Sequence, residues 1–261
     1  MRYGEDEGMF DLLLISLGLF VGVLVGLTGV GGGALLTPLL ILIAGVRPAI
    51  AVGTDLAFAA VTKIVGAYQH SRHGTFDSGL VSRLAIGSIP GALLGSWLVS
   101  VLEARDAASV DVLLPRILGL ILLIAASANL WRAMGLSWTK DSGINLGPRW
   151  TILLGMVIGT IVGLTSIGAG SLLMAAVAFF YRALPLSQAV GVDVMHGAML
   201  AVVAALAHGV AGRIDIPMVL SLLTGSLPGV VLGSWLCSRL PSRPLGVSIA
   251  VMLALVGVHL L

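Results

Sequence analysis

Charged residues are scarce in this sequence, since Asp, Glu, Lys and Arg make up only 10% of its 261 residues. A soluble domain carries about 25% charged residues. Hydrophobic residues make up 58% of the chain and stand in long runs with little or no charge. The scarcity of charge therefore argues against an ordinary soluble domain and predicts an integral membrane protein.

Other absences narrow the possible functions further. Cys237 is the single cysteine, which excludes an internal disulfide framework and a cysteine-based metal cluster. The few Lys and Arg residues form no clustered basic face of the kind that nucleic-acid binding needs. The sequence has no phosphate-binding Gly-Lys-Ser/Thr motif and no converging set of metal ligands. We therefore expect no cofactor, no metal and no nucleic-acid partner, and the expected partners are membrane lipid and a small anionic solute.

Ten apolar segments can be read along the chain. They are Met9–Leu27, Ala34–Ala44, Ile50–Gln69, Gly79–Leu102, Val112–Leu130, Trp150–Leu164, Ser171–Tyr181, Ser187–Ala207, Ile216–Leu240 and Leu245–Leu261. A helix needs about 20 residues to cross a bilayer. Ala34–Ala44 and Ser171–Tyr181 reach only about 16 Å as helices, so they either cross incompletely or re-enter. The acidic start of the chain, Met1–Gly8, predicts no cleaved signal sequence.

The second half of the chain repeats the first. GVLVGLTGVGGGALL from Gly22 matches GTIVGLTSIGAGSLL from Gly159, and a one-residue slip then aligns Asp55 with Asp193. At this second offset His, Pro and Trp residues also match in order, which chance similarity of apolar sequence would not produce. The predicted organisation is a first membrane repeat over residues 9–130, a polar linker over 131–149 and a second membrane repeat over 150–261.

The Lys and Arg residues of short loops predict the orientation of each half. Corresponding loops of the two halves show opposite bias, and each half has an odd number of segments. Both observations predict that the halves are inverted relative to each other. The predicted fold is thus an all-α polytopic membrane protein with inverted-topology repeats. It has about eight to ten transmembrane segments, with short, broken helices at the midplane.

Two equivalent glycine clusters, Thr28–Gly33 and Thr165–Gly170, interrupt the apolar segments. Each precedes a short helix, whose first N–H groups and positive dipole end can bind an anion. Paired short segments of this kind mark binding sites in transporters. The alternative is close packing of helices through small residues. The candidate substrate-binding residues are Thr28, Gly29, Gly31, Gly32, Gly33, Thr165, Ser166, Gly168 and Gly170.

Charged and titratable residues near these clusters are candidates for ion coupling. Asp55 and Asp193 are acids within apolar segments, where an acid is costly and usually functional, although each could instead cap a helix start. Lys63 lies two turns after Asp55 and could meet an anion, or its chain could extend to the interface. Its counterpart in the second half is Ala201. His196, one turn after Asp193, could relay protons or be a packed polar residue.

Two further features indicate architecture. His70 and His208 end their segments and are expected at the membrane interface. The two Gly-Ser-X-Pro-Gly blocks supply small residues for close helix contact. Pro90 and Pro228 within these blocks are expected to kink or break their helices.

Each half combines a GLT-type glycine cluster, a Val-Gly-X-Asp element and a Pro-Gly-X3-Gly-Ser-Trp element. This arrangement resembles the TauE/SafE family of sulfite and organosulfonate exporters over about residues 21–240. The resemblance implies transport of sulfur-containing anions such as sulfite, sulfonates or sulfoacetate. The second glycine cluster departs from the pattern, with Ser166 in place of Gly29 and Ala169 in place of Gly32.

Residues and resemblance together predict a secondary transporter that exports a small anion, sulfite or an organosulfonate, across a bacterial-type inner membrane. Alternating access would carry the solute, with Asp193 and His196 coupling it to protons. The alternatives are a passive anion channel and a membrane subunit of a larger assembly. An intramembrane aspartyl protease fits poorly, because VGTD and VGVD differ from the Gly-X-Gly-Asp of such enzymes, and we expect no enzyme activity. The sequence leaves open the exact solute, the direction, the coupling ion and whether the chain forms a homo-oligomer.

Overall fold

A computed structural model describes residues 3–28, 33–73, 76–134, 146–168, 170–181, 184–237, 239 and 242–261. Over these residues the chain forms ten α-helices. They are α1 (Tyr3–Thr28), α2 (Gly33–Leu42), α3 (Pro48–His73), α4 (Ser78–Arg105), α5 (Ala107–Ala133), α6 (Pro148–Thr165), α7 (Ser171–Phe180), α8 (Leu186–Val210), α9 (Ile216–Cys237) and α10 (Ser242–His259).

Each predicted apolar segment corresponds to one of these helices, and the prediction of an all-α polytopic membrane protein is confirmed. Among the described residues, seven helices are long and apolar enough to cross a membrane, namely α1, α3, α4, α5, α6, α8 and α9. The prediction of eight to ten spanning segments exceeds this number. Helices α2 and α7 have ten residues each, about 15 Å of helix, and the described apolar part of α10, Pro244–His259, is also short.

The two halves interlock through glycines, because the first helix of each half packs against the fourth helix of the other. On α1, a Cβ added at Gly22 would lie 2.4 Å from the backbone oxygen of Ser226 on α9. On α6, a Cβ added at Gly159 would lie 2.1 Å from the backbone oxygen of Ser88 on α4. Glycines recur four residues to either side on all four helices, so the backbones approach as in other small-residue membrane interfaces.

Equivalent helices of the two halves also pack together in the centre of the protein. Gly53, near the start of α3, lies against Arg213, just beyond the end of α8, whereas Gly66, late in α3, lies against Val194, early in α8. Helices α3 and α8 therefore run antiparallel. This direction is what inverted repeats require, and the inverted topology itself stays a prediction.

Matched polar residues have the same local role in both halves. Asp77 caps α4 by accepting a hydrogen bond from the Leu80 N–H at 2.9 Å, and Asp215 does so at the start of α9 with the Met218 N–H at 3.0 Å. Both are N-terminal caps of the usual kind. Helices α4 and α9 thus begin at equivalent positions of the two repeats.

The prolines of the Gly-Ser-X-Pro-Gly blocks were expected to kink or break their helices, and neither helix is broken. Pro90 lies inside α4 and Pro228 inside α9, both helices continue past them, and a kink stays a prediction. Each proline removes a single N–H donor, a loss that membrane helices tolerate when neighbouring helices pack against them. The glycine contacts with α6 and α1 supply that packing.

Candidate functional site

A cavity of about 140 Å³ lies where the second glycine cluster meets helices of both halves. A water molecule takes up about 30 Å³ in the liquid, so the space suits a solute of a few non-hydrogen atoms. The wall combines α1, α2 and α3 of the first half with α6, α7 and α8 of the second. Because most of the wall is apolar, its few polar side chains decide what can bind.

Five of the predicted site residues line this cavity. They are Lys63, Ser166, Gly168, Gly170 and Asp193. Two belong to the predicted charge set and three to the second glycine cluster. The sequence patterns therefore converge on one space.

The first glycine cluster is described only at its two ends. Helix α1 ends at Thr28 and α2 begins at Gly33, and the neighbouring residues Val25 and Ala34 line the cavity. Gly29, Gly31 and Gly32, together with the side chain of Thr28, lie outside the described residues. Their predicted role in binding stays a prediction.

Asp55 joins the two halves behind the cavity. Its side chain is fully buried, and its Oδ2 accepts hydrogen bonds from the Thr37 hydroxyl of α2 at 2.5 Å and from the Ser166 hydroxyl at 2.8 Å. Among the described residues its Oδ1 has no hydrogen-bond partner. Asp55 lies within α3, two turns after the start, so the alternative role as a helix cap does not hold for it.

Ser166 forms the break after α6 in an uncommon conformation. Its φ of 63° is in the left-handed region, the one such value of a non-glycine residue in the described ranges. A side chain in this region costs roughly 1–2 kcal/mol. The Ser166 N–H donates to the Val162 carbonyl at 2.7 Å, while the hydroxyl donates to Asp55. These two bonds hold the chain in the turn that leads to α7.

Lys63 brings positive charge to the cavity and lies between two acids. Its ammonium interacts electrostatically with Asp193 of α8 and, more weakly, with Asp55 of its own helix. The Lys63 side chain is half-buried, whereas Asp193 is only 3% exposed. The three groups together carry one positive and two negative charges when all are ionised.

His196 and Thr165 are buried near the cavity but are not among the residues that line it. The Nε2 of His196 is 2.8 Å from the hydroxyl of Ser88 on α4. The Thr165 hydroxyl donates to the Ile161 carbonyl of its own helix at 2.7 Å. Any contact of either side chain with a solute would need a rearrangement.

His208 is fully buried in protein, two residues before the end of α8, and its expected position at the membrane interface stays a prediction. Its Nε2 donates to the Gly163 carbonyl of α6 at 2.8 Å. His208 therefore packs the end of α8 against α6.

Two side chains of the site were missed in the sequence. Thr37 binds Asp55 from α2, and Ser171 is a buried hydroxyl that lines the cavity at the start of α7. Thr37 gave no signal, because its counterpart in the second half is Met174. Ser171 directly follows the second glycine cluster, and that position could have identified it.

A buried arginine connects the halves at one end of the bundle. Arg213, between α8 and α9, is 4% exposed. Its Nε donates to the Glu103 carboxylate at 2.6 Å, and its guanidinium also donates to the Ser96 carbonyl at 3.3 Å and the Ser100 hydroxyl at 2.6 Å. These partners all belong to α4, about 110 residues earlier in the chain. No sequence pattern indicated this network.

Comparison with known proteins adds independent information. The family described as "Sulfite exporter TauE/SafE" matches residues 14–260. A Bacillus subtilis protein named "Probable membrane transporter protein YjnA" is 40% identical over 95% of this chain and 98% of its own. "Probable membrane transporter protein MJ0441" of Methanocaldococcus jannaschii is 25% identical over 95% of this chain and 94% of its own. No solved structure matches the chain.

Proposed function

The chain belongs to the TauE/SafE family of membrane transporters, and from this membership we propose that it is a secondary exporter of a small sulfur-containing anion. Sulfite and short organosulfonates are the proposed solutes, in keeping with the family's description. The proposed location is a bacterial-type inner membrane.

The cavity between the halves is the observation that carries this proposal. It is small and mostly apolar, and its polar lining residues are Thr62, Lys63, Ser166, Ser171 and Asp193. It lies beside a break between helices, which is where transporters with paired repeats bind their solutes. Rocking of one half against the other would open this cavity to each side in turn.

The charges around the cavity support coupling to protons. With Lys63, Asp55 and Asp193 all ionised, the region carries a net charge of −1, which opposes entry of an anion. At about 6 Å and an effective dielectric constant of about 20, each added like-charge pair costs roughly 3 kcal/mol. Protonation of one carboxyl would remove that cost, so we propose that Asp193 takes up a proton when the anion binds. His196, one turn further along α8, is the proposed relay.

Flux into proteoliposomes tests the proposal. The purified protein should give saturable uptake of sulfite or of a short sulfonate, and an imposed pH gradient should change the rate. Asp193→Asn should abolish the response to the pH gradient, whereas Asp111→Asn, which removes an exposed acid of α5, should leave it unchanged.

The outcomes separate the candidate functions. Flux that neither saturates nor responds to the gradient would indicate a passive channel. Absence of flux for all the sulfur anions, with a folded protein, would refute the proposed solute class. Gradient-driven flux that survives in Asp193→Asn would refute the proposed coupling residue and leave the transporter intact.

A further inference from the structure

We propose that the anion's oxygen atoms are bound on one side of the cavity, by the Ser171 hydroxyl and the N-terminal end of α7, with Lys63 opposite as the counter-charge. This inference rests on the proposed function, and it names a subsite and a solute group that the glycine pattern alone does not. It also replaces the symmetric expectation, in which both glycine clusters contribute equally.

Ser171 is the first observation. Its side chain is only 4% exposed, and among the described residues its Oγ has no hydrogen-bond partner. A buried hydroxyl without a partner is unfavourable, because it has lost the hydrogen bonds that it makes in water. Because Ser171 lines the cavity, a bound solute that accepts a hydrogen bond would satisfy it.

The start of α7 is the second observation. Ser171 is the first residue of this helix, and Gly170, which precedes it, makes no side-chain cap. Gly168 and Gly170 both line the cavity and carry no side chain of their own. A helix start presents N–H groups and a partial positive charge, which favour an anion at the same place as the Ser171 hydroxyl.

Comparison of the two repeats shows that the Ser171 hydroxyl and the Lys63 ammonium are each present in only one half of the chain. The counterpart of Ser171 in the first half is Ala34, and the counterpart of Lys63 in the second half is Ala201. All four residues line the same cavity. At these two pairs of positions, one half thus contributes a hydroxyl and the other an ammonium group, and an alanine stands at each counterpart position. Over the described residues the cavity is therefore oriented, although it lies between two repeats.

This arrangement specifies the chemistry of the solute. The hydroxyl and the helix start both donate hydrogen bonds, so the group between them must accept several bonds and carry negative charge. A sulfite ion or a sulfonate head with three oxygens meets these requirements. Chloride also accepts several hydrogen bonds but at a single atom, so it should bind more weakly than an oxyanion whose separate oxygens reach the hydroxyl, the helix start and the ammonium, and a primary amine has the wrong charge.

Binding measurements with single variants test the subsite. The detergent-purified protein would be titrated with sodium sulfite under anaerobic conditions and with methanesulfonate, with sodium chloride as the ionic-strength control, and thermal stabilisation would be recorded. Ser171→Ala should weaken oxyanion binding about tenfold or more, the usual effect of losing a hydrogen bond to a charged group. Lys63→Ala should weaken it further. Ser171→Ala removes only an oxygen atom and should leave the fold unchanged. Lys63→Ala also removes the charge that compensates Asp193, so its affinity is compared only after its midpoint without solute has been measured.

Ser226→Ala is the matched control. Ser226 is also buried, and its hydroxyl also lacks a partner among the described residues, but it is not part of the cavity wall. Its substitution should leave the affinity within about twofold of the original, in contrast to the tenfold loss expected for a hydrogen bond to charge.

Each outcome is decisive for the subsite. Equal affinities of Ser171→Ala and the parent protein for both oxyanions would overturn the assignment, even if flux continued. Equal weakening by Ser226→Ala would also overturn it, because the effect would then not belong to the cavity. Failure of the parent protein to bind or transport any oxyanion would instead refute the proposed function on which the subsite rests.

Discussion

The ion pair between Arg213 and Glu103 is a polar link between the two halves, and removal of Glu103 should measurably loosen them. Glu103→Ala leaves the buried guanidinium with two weaker partners on α4, the Ser96 carbonyl and the Ser100 hydroxyl. Breaking a buried pair costs about 3–5 kcal/mol, and an exposed pair is worth at most about 1 kcal/mol. The Glu103 side chain is 31% exposed, so we expect an intermediate loss of about 2 kcal/mol.

Thermal unfolding in detergent measures this loss. With soluble proteins of this size as a guide, about 2 kcal/mol corresponds to a midpoint lower by roughly 4–8 °C. Asp111→Ala removes an exposed acid near the start of α5, the helix that follows Glu103 in the chain. It should have little effect on the midpoint. A cycle that combines Glu103→Ala with Arg213→Ala isolates the pair itself. The reasoning fails if Glu103→Ala matches Asp111→Ala, or if the cycle gives no coupling between Glu103 and Arg213.

Two further changes test the contacts between the halves. Gly159→Ala would place its Cβ 2.1 Å from the Ser88 backbone oxygen. In the same unfolding assay it should lower the free energy of unfolding by about 2 kcal/mol through overpacking. Gly8→Ala, whose Cβ would have nothing within 4 Å, should be neutral or slightly stabilising. Ser166→Gly relieves the left-handed strain of about 1 kcal/mol but loses the bond to Asp55, worth about 1.5–3 kcal/mol, so it should be mildly destabilising. Ser166→Ala keeps the strain and loses the bond, and a midpoint no lower than that of Ser166→Gly would contradict this account.

The helices were predictable because their signals are local. The first and last residues of a long apolar run approximate the ends of a membrane helix. A polar residue just before the next run marks where the next helix begins. Asp77 and Asp215 illustrate this, since each stands just before an apolar run and caps the helix there. Because the two halves repeat, each helix predicted in one half was also supported by the matching segment of the other half.

The functional contacts were less predictable because they join residues that are far apart in sequence. Ser166 binds Asp55 across 111 positions, and Arg213 binds Glu103 across 110. Each residue looked unremarkable or ambiguous by itself, as Asp55 did when a helix cap was a reasonable alternative. Only the packing of α3 against the break after α6 shows that Asp55 holds the two halves together.

The same contacts explain how a duplicated protein can have one oriented site. Asp55 and Asp193 are equivalent in the repeat, but the two hydroxyls that bind Asp55 have counterparts without a hydroxyl, Met174 and a glycine. Asp55 is therefore fixed by its neighbours, while Asp193 faces the cavity with Lys63. A mechanism in which the two acids exchange roles between inward and outward states would require equal surroundings. Their surroundings differ, so we infer that Asp193 responds to the solute and Asp55 maintains the contact about which the halves would move.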